Sequence, residues 1–117
     1  MQSPKPYREE RPWGDFVEFT KNTSSTVKII TVKPGESLSL QKHKNRDEFW
    51  KVLSGDGFVT IGKERVAAKP GDEYFAPRGA EHRFEGGIYP ISILEISFGE
   101  FDENDIVRLE DKYGRIK

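Results

Sequence analysis

Apolar and polar residues change places in short runs along this chain, and Gly or Pro closes most of the runs. Asp15–Phe19, Val27–Lys33, Ser37–His43, Glu48–Leu53, Gly57–Lys63, Arg65–Lys69, Glu73–Ala76, His82–Glu85 and Pro90–Phe98 are brief segments, as a group rich in Val, Ile, Phe and Thr, and read as strands. Turn residues separate them: Lys33-Pro34-Gly35, Ser54-Gly55-Asp56-Gly57, Ile61-Gly62-Lys63, Lys69-Pro70-Gly71, Pro77-Arg78-Gly79 and Gly86-Gly87. No window between Trp13 and Phe98 keeps a helical apolar stripe for three turns. The pattern predicts an all-β, antiparallel sandwich or barrel in a single domain. Residues 1–12 contain Pro4, Pro6 and Pro12 and lack periodicity. They are expected to form an extended N-terminal arm, either loose or laid on a partner subunit, with the barrel and a C-terminal extension over 13–117. Asp105–Leu109 suits a short strand or a helical turn.

Composition narrows the function classes. A chain of 117 residues is long enough for one core without staples, burying roughly 60–70% of its unfolded surface. Hydrophobic residues are 34% and charged residues 33% of the chain, a balance that implies a partly polar interior. The net charge is −1 with both signs interspersed, so no nucleic-acid partner is expected. No apolar run approaches the roughly 20 residues of a membrane helix, so no membrane partner is expected either. The N-terminal stretch lacks the apolar core of a secretory signal. There is no cysteine, which excludes disulfides and leaves imidazole, carboxylate or amide for any metal. The expected location is the cytoplasm.

The candidate chemistry sits at corners. Side chains alternate faces along a strand, so Ser37, Ser39, Gln41 and His43 share one face, opposite Leu38 and Leu40. Glu48, Trp50 and Val52 share another face, and His82 goes with Phe84. The polar corner Lys44–Asp47 separates His43 from Glu48. The two histidines of the chain each lie beside such a corner, and imidazole with carboxylate is an ordinary set for a first-row divalent ion. The competing reading of each is a hydrogen-bonded or surface residue. Trp50, Phe75 and Phe84 read as inward-facing core, with Trp50 or Tyr74 as alternative walls of a sugar pocket.

Two segments resemble the paired cupin motifs. The first runs from Gly35 through His43, Asn45 and Glu48 to Gly55, with Asn45 where many cupins carry a second His. The second is Gly71-DEYFA-Pro77-Arg78-Gly79-AE-His82. Cupin folds are double-stranded β-helix, jelly-roll barrels, and that is the fold implied. The run Arg11-Pro-Trp-Gly14, Val32 to His43, Arg46-x-Glu48-x-Trp50-x-Val52-x-Ser54-Gly55 and Asp105 to Arg115 resembles more narrowly the C-terminal isomerase domain of type II mannose-6-phosphate isomerases. That domain is usually fused to a mannose-1-phosphate guanylyltransferase. No Gly-rich nucleotide loop precedes the match here, so the transferase half is expected to be absent.

The resemblance implies a metal-dependent aldose–ketose isomerase converting mannose 6-phosphate to fructose 6-phosphate through a cis-enediol. It implies one divalent ion (Zn, Mn, Co or similar). The family carries three consecutive histidines where this chain has His43-Lys44-Asn45. The related type I enzymes imply instead the ligand set Gln41, His43, Glu48 and His82, with Asn45 as a further amide candidate. Such chemistry needs a cation against enediolate charge, a tuned base and a phosphate grip. Arg46 matches the family's arginine at the barrel corner and is the first candidate for phosphate or charge stabilisation. Lys44, Arg78 and Arg108 are further substrate-binding candidates. Solvation at a turn competes for Lys44 and Arg78, and an ion pair with Glu110 or Asp111 competes for Arg108. Glu95 is the candidate base on a late strand, with Glu81 and Asp47 flanking the ligands. A homodimer is expected. A non-catalytic cupin binding a sugar or sugar phosphate is the alternative function, and a cupin enzyme of other chemistry, such as a dioxygenase, is a third.

Overall fold

β-Branched and aromatic residues at alternate positions give each strand one apolar row, and burying those rows brings two sheets face to face. In a computed structural model describing residues 5–115, the strands are β1 (Tyr7–Arg11), β2 (Gly14–Glu18), β3 (Ser25–Val32), β4 (Leu40–Lys42), β5 (Arg46–Ser54), β6 (Gly57–Ile61), β7 (Glu64–Ala68), β8 (Glu73–Ala76), β9 (His82–Gly86), β10 (Ile91–Gly99) and β11 (Val107–Glu110), and no helix forms among these residues. One sheet has the order β3-β10-β5-β8 and the other β11-β4-β9-β6-β7, while β1 and β2 pair as a separate hairpin. All pairings are antiparallel. This is the antiparallel two-sheet barrel the pattern predicts, in the jelly-roll arrangement that the cupin resemblance implies.

Between the sheets, Val32, Trp50, Val52, Ala76, Ile91 and Ile93 of the first meet Val59, Ala68 and Phe84 of the second. Register decides which polar residues share that interior. In the first sheet Glu95 pairs with Trp50 on one side and Lys28 on the other, and Ser97 pairs with Glu48. Partners in register point to the same face, so Lys28, Glu48 and Glu95 enter the interior among apolar neighbours. Phe49, Ile96 and Phe98 form a second cluster on the outer face with Phe19 and Leu94.

Three expectations are corrected. The N-terminal segment is extended, yet Tyr7–Arg11 is no free arm: it pairs residue for residue with β2, and Arg8 is ion-paired to Glu73 at 2.7 Å. Residues 1–4 of the expected arm lie outside the described residues. The predicted strand Ser37–His43 is broken, with ladder pairing only over Leu40–Lys42 and an isolated bridge from Ser37 to Glu85. Strict alternation therefore fails there, and Leu38 packs against the core. Phe75 does not face inward: it stands opposite Phe49, whereas Tyr74 stands opposite Trp50 and packs against the core. The ambiguous Asp105–Leu109 segment resolves as a strand, β11, which pairs with β4.

Candidate metal centre

The corner after β4 delivers His43, the start of β5 delivers Glu48 and the start of β9 delivers His82. All three are buried, and each offers a ligand atom within 4.8 Å of the others. His43 Nε2 lies 3.5 Å from Glu48 Oε2, and His82 Nε2 lies 3.8 Å from Glu48 Oε1. The two sequence motifs are also tied through the backbone, because Gly79 N–H donates to the carbonyl of His43 at 2.8 Å.

The hydrogen bonds around His43 fix its tautomer. Its Nδ1 lies 2.6 Å from the carbonyl oxygen of Asp105, an acceptor only, so Nδ1 carries the proton. Its Nε2 lies 3.0 Å from Arg46 Nη2, a donor only, so Nε2 presents a lone pair. Burial, the largest influence, lowers the pKa of both imidazoles, that of His82 to about 4. Neutral imidazoles, a carboxylate and an outer hydrogen bond that orients one ring are what a divalent ion such as zinc requires. The residues fit the group the fold implies. Nε2 of His43 has one lone pair, so ligation there and the Arg46 bond are alternatives. Gln41 stands opposite His82 in register and lines the same cavity, with its amide NH₂ directed to Ser39.

The cavity beside this cluster measures about 200 Å³. Its walls include His43, His82, Arg46, Glu95 and Arg108, as expected, and also Lys28, Phe101 and Arg115, which the sequence reading did not single out. Arg46 donates through Nε to Glu48 Oε2 at 3.1 Å, and its guanidinium lies 4.4 Å from the centre of the Phe101 ring, as does Lys28 Nζ. That ring is a cation–π partner for both. The Nε of Arg108 is buried without a hydrogen-bond partner. The competing ion pair of Arg108 is not formed with the acids named for it, because Glu110 takes Arg83 and Asp111 takes Arg115.

Other candidates fall elsewhere. Lys44 and Asn45 are exposed, line no part of the cavity, and contribute backbone N–H groups to the Asp105 carboxylate. Arg78 is also outside the cavity, paired with Asp47 at 3.3 Å. Within the polar corner Lys44 and Asn45 lie outside, whereas Arg46 is buried on the cavity wall and Asp47 is buried against Arg78. Glu81 is exposed and absent from the cavity wall, and Asp47 is engaged by Arg78.

Glu95 is the acidic group on this wall whose proton affinity changes most. Burial first, and then the nearby Glu48 carboxylate, push its pKa to about 8. A raised carboxyl pKa means the folded chain holds a proton that the unfolded chain releases. Its stabilising contribution is therefore full below pH 4.5 and is lost as pH rises towards 8. The histidines have the opposite sign: stability is lost as pH falls below 6.5, and for His82 this continues towards 4. Above pH 6.5 the remaining part of the histidine change opposes that of Glu95. In chelator-treated protein, urea unfolding is expected to show about 1 kcal/mol less stability at pH 8 than at pH 6.5. Glu95→Gln is expected to flatten that slope, and an unchanged slope would exclude Glu95 as its source.

A family model described as mannose-6-phosphate isomerase C-terminal matches residues 5–111. A mannose-1-phosphate guanylyltransferase of Salmonella typhimurium is 41% identical over 108 residues, covering 91% of this chain and 22% of that protein. The chain thus spans less than a quarter of this relative's length. Among solved structures, a cupin protein from Bacteroides fragilis superposes with a TM-score of 0.61 at 25% identity, over 71% of this chain and 75% of that one. A putative sugar phosphate isomerase from Acidithiobacillus ferrooxidans superposes with a TM-score of 0.59 at 26% identity, over 67% of this chain and 51% of that one. The double-stranded β-helix of the cupins is thus the fold of this chain. Since the family match runs from the N-terminal hairpin through β11 and takes in every residue of the candidate centre, the chain belongs to the mannose-6-phosphate isomerase C-terminal family.

Proposed function

We propose that this chain interconverts mannose 6-phosphate and fructose 6-phosphate with the help of one divalent ion. One observation carries the reading: a metal-competent His43–Glu48–His82 cluster borders a cavity whose walls also bear Glu95 and the cations Lys28, Arg46, Arg108 and Arg115. Family membership supports it. When bound at these three residues, with Gln41 alongside, the ion supplies positive charge against the oxygens of an enediolate.

The chain's own residues supply the rest. As a carboxylate, Glu95 takes the C2 proton of the open-chain aldose; the O2 hydroxyl proton passes to O1 of the enediolate, and as an acid Glu95 returns a proton to C1, so that it ends the turnover as it began. A pKa near 8 keeps both forms populated around neutral pH. Arg108, whose Nε lacks a protein partner, is suited to a phosphate oxygen, and Arg46 to the oxygen charge nearest the ligands.

A coupled assay with zinc, manganese or cobalt tests this. Turnover of mannose 6-phosphate is expected, and Glu95→Gln is expected to lose about 100-fold or more in kcat while still binding metal. Binding of the sugar phosphate with no turnover under any of these metals replaces this reading with the non-catalytic, sugar-phosphate-binding one. A homodimer is part of the proposal. It is supported by the edge strand β3, which leaves Val27 and Ile29 57% and 65% exposed.

A further inference from the structure

We propose that Asp105 is the positioning residue of the centre, holding the His43 ring so that Nε2 faces Glu48 and His82. The inference rests on His43 being a metal ligand. Asp105 lies between β10 and β11, more than 60 residues from the histidine along the chain. It nevertheless makes three bonds to one corner. Its carbonyl accepts from His43 Nδ1 at 2.6 Å, its Oδ1 accepts from Lys44 N–H at 2.8 Å, and its Oδ2 accepts from Asn45 N–H at 2.9 Å.

These bonds form a single device. Consecutive backbone N–H groups converging on one carboxylate make a charge-assisted clamp. The clamp fixes the Asp105 backbone relative to the corner that carries His43. The carbonyl of the same residue then meets the imidazole from the side opposite its ligand nitrogen. His43 follows the last residue of β4 and precedes β5, so no ladder bond to a neighbouring strand sets its ring. A ligating histidine whose second nitrogen is held this way has its tautomer and its direction chosen in advance. Asp105 touches no reacting atom and acts through His43.

Asp105→Ala removes both clamp bonds. Asp105→Asn keeps one acceptor oxygen and so serves one of the two N–H groups. Asp56 is the comparison, because its carboxylate also accepts backbone N–H groups, from Tyr89 at 2.8 Å and Ile88 at 3.4 Å, at a loop away from the corner that carries His43. Three quantities are measured on the full chain: zinc affinity by competition with a chromophoric chelator, the thermal midpoint in EDTA, and the His43 Nδ1 proton resonance by NMR in the zinc-free protein.

Wild type is expected to show that proton protected from solvent by the Asp105 carbonyl. Asp105→Ala is expected to broaden it into exchange and to weaken zinc binding about 10- to 100-fold, with Asp105→Asn between. Asp56→Ala is expected to lower the midpoint while leaving zinc affinity and the proton unchanged. Wild-type zinc affinity with a protected proton in Asp105→Ala overturns the proposal. So does an equal loss of affinity in Asp56→Ala, which would make the effect one of general stability. Should Asp105→Ala not fold, Asp105→Asn decides by the same criteria. If wild type binds no zinc, the metal reading fails, and the Nδ1 proton still decides whether Asp105 holds the ring.

Discussion

Replacing His82 by Ala is expected to abolish stoichiometric metal binding and to reduce isomerase turnover on the order of 1,000-fold or more. The reasoning starts from ligand count. The cluster offers two imidazoles and one carboxylate, and a divalent ion left with His43 and Glu48 has lost one of its neutral donors. An ion's charge stabilisation is worth several kcal/mol in the transition state, and each 1.4 kcal/mol is tenfold in rate. The fold should survive. The lost ring packs edge-on against Trp50 at 5.2 Å between centroids, and a truncation of this kind costs about 1–3 kcal/mol. Metal analysis of the purified variant, a melting curve and the coupled assay separate these effects. One ion per chain with wild-type turnover in His82→Ala would remove this residue from the centre.

Glu48→Ala is expected to give the largest stability loss of any single substitution among the three candidate ligands, about 3–5 kcal/mol. Glu48 is 1% exposed. It accepts the indole N–H of Trp50 at 2.9 Å and the Nε–H of Arg46 at 3.1 Å. Truncation leaves a buried guanidinium without its carboxylate and a buried indole donor without an acceptor. Glu48→Gln keeps an acceptor oxygen for Trp50 and should lose less, which isolates the charge from the hydrogen bond. Urea midpoints of the two variants against wild type measure the difference. A Glu48→Ala protein within about 1 kcal/mol of wild type would mean that Arg46 finds compensation elsewhere.

The strands were legible because apolar alternation and Gly/Pro punctuation are local signals. Gly57–Lys63, Arg65–Lys69 and Glu73–Ala76 lie within two residues of β6, β7 and β8 at either end. Ser37–His43 misled because its two leucines alternate correctly while the chain between Ser37 and Leu40 leaves the ladder. Phe75 misled because one residue of register moves a side chain to the other face, and four residues of strand do not reveal which face is which. The meeting of His43, Glu48 and His82 was readable from the paired motifs. Lys28 was not, since it enters the cavity only through the pairing of β3 with β10, a long-range register that no local pattern encodes. Asp105 was hidden for another reason. Its contact with His43 is made by a backbone carbonyl, which every residue type possesses, and only its acceptor pair for Lys44 and Asn45 depends on being an aspartate.

Glu48 belongs to the sheet β3-β10-β5-β8, and His82 to β11-β4-β9-β6-β7. A cation shared by these side chains is a rivet through both layers, so peeling the layers apart and releasing the ion become one event. Above the dissociation constant, each tenfold rise in free metal then deepens the native well by about 1.4 kcal/mol. Where ligation forms only after the layers close, that gain lengthens the lifetime of the closed form and leaves the speed of closing unchanged.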